Sequence, residues 1–312
     1  MRGPHDLGGL PADTIDLSDA DMTAWQKQAN AMRLVLVGAV EPIVTLDQLR
    51  RAAEDLADDY RRLEYFQRTT EAMRRILVET GVIAASELDD RIAAIARRES
   101  ETPHVEPVHP TRHAISHQDD EVPDGSALTS LAIQELLTEA GLLDPARVHA
   151  MIEIIDMRST GAEGARVIAR AWADPGFKSR LLEDGNAACA ELGYDLGDLE
   201  LVVVENTADV HNVVVCTLCS CYPRQLLGMP PHWYKSRTYR SRCVIEPRRV
   251  LAEFGTNIAD TVTVRVHDSN ADLRYLVLPE RPVGTDGWNE DRLAGLVTRD
   301  SMVGVGFPRS AQ

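Results

Sequence analysis

Cys216, Cys219 and Cys221 form a C-x-x-C-x-C sequence directly after a run of valines, and this cluster constrains the fold more than any other feature. Three thiolates this close together can face one ion, and thiolates select soft or borderline metals over Ca²⁺ and Mg²⁺. The chain of 312 residues holds five cysteines. An odd, clustered set is not a disulfide framework, and it indicates a metal or catalytic site in a reducing, cytoplasmic compartment.

The three sulfurs alone are compatible with several metals. A closed zinc site usually has four ligands in two separated pairs, and here only Cys243 could be the fourth. An iron–sulfur cluster lacks its four-thiolate spacing as well. Because one residue separates Cys219 from Cys221, the backbone amides of Ser220 and Cys221 can also donate nitrogen, which suits Co(III) or Fe(III). Five such donors leave one open position, as in catalytic rather than structural sites.

A stretch rich in proline, charge and histidine, residues 99–126, divides the chain and reads as a linker. Before it, apolar periodicity and capping residues predict helices over 19–35, 45–63, 64–80 and 86–98. After it, the pattern predicts helices over 127–143, 144–157 and twice within 160–191, strands over 199–204, 210–216, 261–267 and 273–278, a helix over 288–298 and a short strand over 302–306. We therefore expect an α+β fold, with a helical segment 1–98 and a second domain 127–312.

The linker histidines have two interpretations, a metal-binding tract or a solvated segment that happens to be rich in histidine. The second is favoured, because ligands without a packed scaffold have no fixed geometry. The four residues are His104, His109, His113 and His117.

Charge and hydropathy exclude several classes of function. The net charge of −16 is unfavourable for binding a nucleic-acid backbone, which requires a basic surface. The most apolar stretch, residues 34–40, is far shorter than the roughly 20 residues of a membrane-spanning helix. The N-terminus lacks the apolar core of a signal peptide. We expect neither a nucleic-acid nor a membrane partner.

The longer sequence around the cysteines resembles the α subunit of nitrile hydratase. The similar segments include VCTLCSCYP at 215–223, LGMPPHWYKS at 227–236, VRVHDS at 264–269 and LVTRDSMVGVG at 296–306. The same metal subunit occurs as the γ subunit of thiocyanate hydrolase. Weaker similarity joins HDLGG at 5–9, LDQLR at 46–50 and ILVETGVIAASELDD at 76–90 to the N-terminal half of the nitrile hydratase β subunit. The resemblance implies a β-type helical segment fused to a layered α-β-β-α metal domain.

In that family, three thiolates and two backbone amides bind the metal. The corresponding groups here are Cys216, Cys219 and Cys221 with the amides of Ser220 and Cys221. The resemblance implies that Cys219 is oxidised to sulfinic acid and Cys221 to sulfenic acid, so that both are catalytic residues. It further implies that Arg50, in the LDQLR segment, donates hydrogen bonds to the oxidised sulfurs.

Two residues near the cysteines suggest the metal and the substrate by the same resemblance. Cobalt members carry C-T-L-C-S-C-Y where iron members carry C-S-L-C-S-C-T, so Thr217 and Tyr222 indicate one Co(III) per chain and make iron less favoured. Nitrile hydratases follow the motif with Tyr-Pro-Trp-Pro, whereas Arg224 stands here in place of the tryptophan, as in thiocyanate hydrolase. An arginine at that position favours a small anion over an apolar nitrile.

Three functions follow from the resemblance. The leading one is a subunit of a cobalt nitrile hydratase-family enzyme that hydrates a C≡N group, turning a nitrile into an amide. The alternatives are a thiocyanate hydrolase, which yields carbonyl sulfide and ammonia, and a non-catalytic metal carrier or maturation protein. The sequence lacks the β-barrel half of the β subunit, so we expect a second polypeptide to carry it in a hetero-oligomer.

Overall fold

The computed structural model describes residues 3–18, 21–39, 41–101, 125–157, 161–219 and 221–311. The chain divides into two compact units, the cysteine unit (Met1–Ala20 and Ile155–Gln312) and the helical unit (Asp21–Ile154). The chain therefore begins in the cysteine unit, passes into the helical unit and returns. Most of the predicted linker lies outside the described residues, including all four histidines named above: His104, His109, His113 and His117.

The described part of the helical unit is built from helices. They are α1 (Ala24–Val37), α2 (Leu46–Glu54), α3 (Asp59–Arg62), α4 (Tyr65–Glu79), α5 (Ala85–Glu101), α6 (Gly125–Glu139) and α7 (Pro145–Met157), which ends just past the division between the units. Thr45 caps α2, because its hydroxyl accepts the Gln48 N–H while the Gln48 side chain accepts the Thr45 N–H.

The single helix predicted over 45–63 is wrong, since the chain forms α2 and α3 instead. Ala57, between them, has a φ of 51°, in the left-handed region. An L-residue with this backbone conformation cannot continue a right-handed helix, so the helical periodicity restarts at α3.

Helix α6 packs with the helices that precede the linker, namely α1, α4 and α5. It buries Ile133 and Leu137 there, and Arg91 of α5 donates to Glu135 and Glu139 of α6. The sequence-based division groups residues from 127 onward with the cysteines. In the structure, compact packing divides the chain later, between Ile154 and Ile155.

The cysteine unit combines helices with two pairs of parallel strands. Strand β1 (Glu200–Glu205) pairs with β4 (Leu273–Leu278), and β2 (Val210–Val215) pairs with β3 (Thr263–Asp268). The helices are α8 (Ala162–Ala173), α9 (Pro175–Glu183) and α10 (Gly185–Glu191) before the strands, α11 (Arg224–Leu227), α12 (His232–Lys235), α13 (Arg237–Arg242) and α14 (Pro247–Glu253) between β2 and β3, and α15 (Glu290–Ala294) and α16 (Arg299–Val303) at the end. The four predicted strands and the α+β class with a helical N-terminal part are confirmed.

The short strand predicted over 302–306 is wrong. Residues 299–303 form α16, which Thr298 caps through a hydrogen bond from the Ser301 N–H. Gly304 ends the helix with a φ of 88°, and a Cβ at Gly304 would lie 2.0 Å from the Asn212 carbonyl oxygen. The alternating valines of this segment thus reflect a buried helix end and close backbone contact with β2, not a strand.

The core of the cysteine unit lies around β2, which leads into the cysteines. Val213, Val214 and Val215 are at most 2% exposed. Trp233 packs edge-to-face on Tyr239 and Phe254, with ring centroids 4.9 and 4.7 Å away. This aromatic packing holds α12, α13 and α14 together in the connection between β2 and β3. Within the described ranges, no helix combines the length and the apolar character that crossing a bilayer requires.

Candidate metal centre

The three predicted cysteine ligands meet at the carboxyl end of β2. We call residues 216–221 the claw loop. The Cys219 sulfur lies 3.7 Å from the Cys216 sulfur and 2.9 Å from the Cys221 sulfur, and all three sulfurs lie within 4.8 Å of one another. Cys216 and Cys221 are buried and Cys219 is partly exposed. Ser220 is outside the described residues, so its amide ligand role stays a prediction.

The start of the claw loop is fixed by a carboxylate on the neighbouring strand. Because Val215 pairs with Asp268 in the β2–β3 register, the Asp268 side chain lies beside the first residues of the loop. Its two oxygens accept the Thr217 N–H at 2.9 Å and the Thr217 hydroxyl at 2.6 Å. The Cys219 N–H donates to the Cys216 sulfur at 3.2 Å, which closes the turn.

Carbonyl groups along the claw loop accept hydrogen bonds from side chains of α12 and α13. Arg240 is fully buried, and its guanidinium donates to the carbonyls of Cys216 at 3.1 Å and Thr217 at 3.0 Å. The Tyr234 hydroxyl donates to the Cys221 carbonyl at 2.8 Å. Both ends of the loop therefore have a fixed backbone, so the sulfurs converge without relying on the ion alone.

The chemistry of the cluster fits a cation. Hydrogen bonds from Cys219 and Cys221 lower the pKa of Cys216 below that of an ordinary thiol. Hydrogen bonding with Cys216 and Cys219, together with burial, raises the pKa of Cys221. Three sulfurs this close together, two of them buried, cannot all be anionic without a positive charge between them, and a soft metal ion would supply that charge.

The other two cysteines have the properties of core residues. Burial raises the pKa of Cys189 and of Cys243 to about 12, and both side chains are fully buried. Cys243 is not in the sulfur cluster that the described residues form. Neither thiol is a reactive or ligating group in this environment.

The two arginines predicted from the resemblance occupy different parts of the molecule. Arg224 is half-buried and opens α11, three residues after Cys221. Arg50 lies on α2 in the helical unit, where its guanidinium pairs with Asp47 at 3.1 Å. Their roles toward the substrate and the oxidised sulfurs stay predictions.

Arg240, Tyr234 and Asp268 were missed as site residues by sequence reasoning. Tyr234 and Asp268 lie inside segments that carry the resemblance, but none of the three residues follows from the spacing of the cysteines. Asp268 could have been found from its place at the end of a strand next to β2. Arg240 and Tyr234 act on backbone carbonyls, and no sequence pattern identifies such an acceptor.

Two family models match the chain in succession. The model described as nitrile hydratase beta subunit, N-terminal, matches residues 1–121, and the model described as nitrile hydratase, alpha chain, matches residues 124–306.

Individual relatives agree with these models. The cobalt-containing nitrile hydratase subunit alpha of Pseudonocardia thermophila is 46% identical over 62% of this chain and 97% of its own length. The high-molecular weight cobalt-containing nitrile hydratase subunit alpha of Rhodococcus rhodochrous is 51% identical over 56% of this chain and 87% of its own. The thiocyanate hydrolase subunit gamma of Thiobacillus thioparus is 43% identical over 61% and 82%.

Solved structures show the same relationship. A histidine double mutant of the Fe-type nitrile hydratase from Comamonas testosteroni Ni1 is similar with a TM-score of 0.56 and 40% identity, over 58% of this chain and 90% of that chain. A thiocyanate hydrolase mutant with one arginine replaced by tryptophan is similar with a TM-score of 0.54 and 42% identity, over 58% and 89%. Because the alpha-chain model alone covers more than half of the sequence, this chain belongs to the nitrile hydratase family of enzymes.

Proposed function

We propose that this chain is the metal subunit of a cobalt enzyme that hydrates a C≡N group, converting a nitrile to an amide. The observation that carries the proposal is the convergence of the three cysteine sulfurs within 4.8 Å in the claw loop. Thr217 and Tyr222 complete the C-T-L-C-S-C-Y sequence, and cobalt is named in several similar α subunits. We infer one Co(III) per chain, with iron less favoured.

The chain's own residues would hold the ion through Cys216, Cys219, Cys221 and the amides of Ser220 and Cys221. When bound, the metal acts as a Lewis acid that polarises the C≡N carbon toward attack by water. Oxidation of Cys219 to sulfinic acid and of Cys221 to sulfenic acid would place anionic oxygens beside the open position. Arg50 would then stabilise these oxygens by charge-assisted hydrogen bonds.

A second candidate function, thiocyanate hydrolysis, is favoured by Arg224. This residue is half-buried directly after the claw loop, and a guanidinium in such a position lowers the free energy needed to bring an anion out of water. An apolar nitrile gains nothing from it and leaves the charge partly desolvated. The similarity to a thiocyanate hydrolase subunit gamma is consistent with this alternative.

The assembly we propose is a hetero-oligomer in the cytoplasm, in which a second polypeptide carries the β-barrel half of a β subunit. A β N-terminal match and an α-chain match in one sequence favour an enzyme subunit over a metal carrier or maturation protein, because one chain then carries segments similar to both subunits of the enzyme. A maturation role predicts transient cobalt and no turnover by the isolated complex.

The test is elemental analysis of the complex purified with its partner, followed by assays with an aliphatic nitrile and with thiocyanate. We expect about one cobalt per chain, lost in Cys219→Ala but retained in Cys189→Ala, the matched control for a cysteine outside the claw loop. Stoichiometric zinc in the active complex would contradict the proposal.

The substrate is decided by Arg224→Trp, with Arg224→Lys as the control that keeps the charge. If thiocyanate is the substrate, losing this charge-assisted contact should lower kcat/KM for thiocyanate relative to kcat/KM for the nitrile by about tenfold or more. A ratio within about twofold of the wild-type value in Arg224→Trp would show that Arg224 does not select the substrate.

A further inference from the structure

The N-terminal residues pack in the cysteine unit, although the family model assigns them to the same β-type segment as the helical unit. We call residues 5–15 the strap. Leu7 is 1% exposed and Ile15 is 7% exposed, and Ile15 belongs to the hydrophobic core of the cysteine unit. The strap is thus a structural part of the cysteine unit, although the helical unit separates it in sequence from the rest of that unit.

The first part of the strap lies directly on the claw loop. The Leu7 N–H donates to the Thr217 carbonyl at 3.2 Å. Gly8 is close to the Thr217 side chain, since a Cβ on Gly8 would lie 3.0 Å from Thr217 Cγ2. Thr217 therefore lies between Gly8 of the strap and Asp268 of β3, to which it is hydrogen bonded.

One buried arginine bonds to the strap and the claw loop together. Arg240 donates to the His5 carbonyl at 3.3 Å, and the same guanidinium donates to the carbonyls of Cys216 and Thr217. Displacing the strap therefore removes one acceptor of Arg240 and the Leu7 bond to the loop in a single step. The backbone that carries the first cysteine ligand is coupled to the strap.

The rest of the strap is fixed further along α13 and α14. The Gly9 N–H donates to the Ser241 carbonyl at 2.8 Å, and Arg242 donates to the Asp13 carbonyl at 2.9 Å. The Ile15 N–H donates to Glu253 at 3.0 Å, and Glu253 in turn pairs with Arg242. The strap is therefore anchored to α13 and α14 as well as to the claw loop.

A metal ion leaves a loop with several ligands by losing them one after another, which requires the loop to open. The bonds of Arg240 and Leu7 hold the Cys216–Thr217 backbone in place while the strap is closed. We propose that residues 5–15 form an intramolecular strap that holds the Cys216–Thr217 end of the claw loop in its closed arrangement and thereby slows both the release and the entry of the metal. Because the strap is covalently tethered, its reclosing does not depend on protein concentration.

The inference rests on the proposed metal site and is tested by metal exchange instead of activity. The full-length complex is loaded anaerobically with Co²⁺, which exchanges ligands faster than Co(III). Release of Co²⁺ to a chromophoric chelator is then followed by absorbance. Leu7→Ala removes a buried side chain of the strap, and Thr14→Ala, at an exposed strap position, is the matched control.

We expect Leu7→Ala to release Co²⁺ at least about tenfold faster than wild type and to load it faster, because truncating a buried leucine makes strap opening more favourable. Thr14→Ala should match wild type. Gly8→Ala adds only a methyl group against Thr217 and should also make Co²⁺ release faster. If Leu7→Ala does not fold, the release rate of Gly8→Ala is the test of the proposal. Release rates within about twofold of wild type in a folded strap variant would overturn the proposal, as would slower loading. A complex that binds no Co²⁺ would instead refute the metal site itself.

Discussion

Arg51 and Arg91 of the helical unit and Arg240 of the cysteine unit illustrate two different uses of an arginine side chain. In the helical unit, Arg51 is exposed and Arg91 is partly exposed, and they pair with Glu79 and Glu139 of neighbouring helices. In the cysteine unit, Arg240 is fully buried and donates to backbone carbonyls around the claw loop. Exposed ion pairs are screened by water and salt and contribute little to the free energy of unfolding. A buried guanidinium with specific acceptors, by contrast, determines where the backbone lies. The comparison indicates that Arg240, unlike these ion pairs, holds the backbone of the claw loop in place.

The largest effect should come from replacing Arg240, because its removal leaves buried carbonyls without a donor. We expect Arg240→Met to lower the free energy of unfolding of the cysteine unit by about 3–5 kcal/mol. Three of the four tryptophans, Trp172, Trp233 and Trp288, lie in this unit, so fluorescence-detected urea unfolding reports on it.

The matched control for that substitution is Arg237→Met on the same helix, α13, at an exposed position. It removes the same functional group without uncovering buried acceptors and should leave the unfolding midpoint almost unchanged. Equal midpoints for the two variants would show that burial does not determine how much these two arginines of α13 contribute to stability.

An intermediate effect should come from Arg242, which is buried but pairs with carboxylates. Hydrogen bonds from Arg242 hold the pKa values of Glu246 and Glu253 below their ordinary value of 4.5. These carboxylates therefore bind fewer protons in the folded than in the unfolded protein. Their contribution to stability is complete above pH 4.5 and is lost as the pH falls through the lowered pKa values.

We expect Arg242→Met to lower the free energy of unfolding at pH 7 by roughly 1.5–3 kcal/mol, the range for hydrogen bonds to charged groups. The difference from wild type should shrink as the pH falls below 4.5, because the carboxylates become protonated in both proteins. Urea unfolding at each pH measures this. Arg249→Met, an exposed partner of Glu246, is the control, and a difference that stays constant with pH would contradict the assigned ion pairs.

The elements that were predictable from sequence depend on local patterns. The valines of β2 and the spacing of Cys216, Cys219 and Cys221 suffice to locate the strand and the claw loop. The left-handed Ala57, which splits a predicted helix, and the contact of Gly304 with β2 depend on packing that a short window does not contain. In these places tertiary contacts override local periodicity.

Long-range contacts also explain the residues that sequence reasoning missed. Arg240 donates to His5, 235 positions away along the chain, and Asp268 bonds to Thr217 at a separation of 51. Composition predicts that an arginine is exposed, so a fully buried one acting on carbonyls is the opposite of the default expectation. The same reason accounts for the strap, since nothing in residues 5–15 themselves indicates the unit in which they pack.

The smallest effect should come from the surface pair of the helical unit. Arg91 pairs with Glu139 at 2.6 Å between α5 and α6, with the glutamate side chain 62% exposed. Arg91 also lowers the pKa of Glu139, yet a short distance at an exposed site does not imply a large contribution. We expect the coupling in a double-mutant cycle of Arg91→Met and Glu139→Gln to change the unfolding equilibrium constant by less than about fivefold and to vanish in high salt. Urea unfolding followed by circular dichroism measures it, because the described part of this unit is largely helical. A salt-independent coupling as large as the effect of Arg240→Met would mean that the helical unit also depends on its arginines, and the contrast between the units would fail.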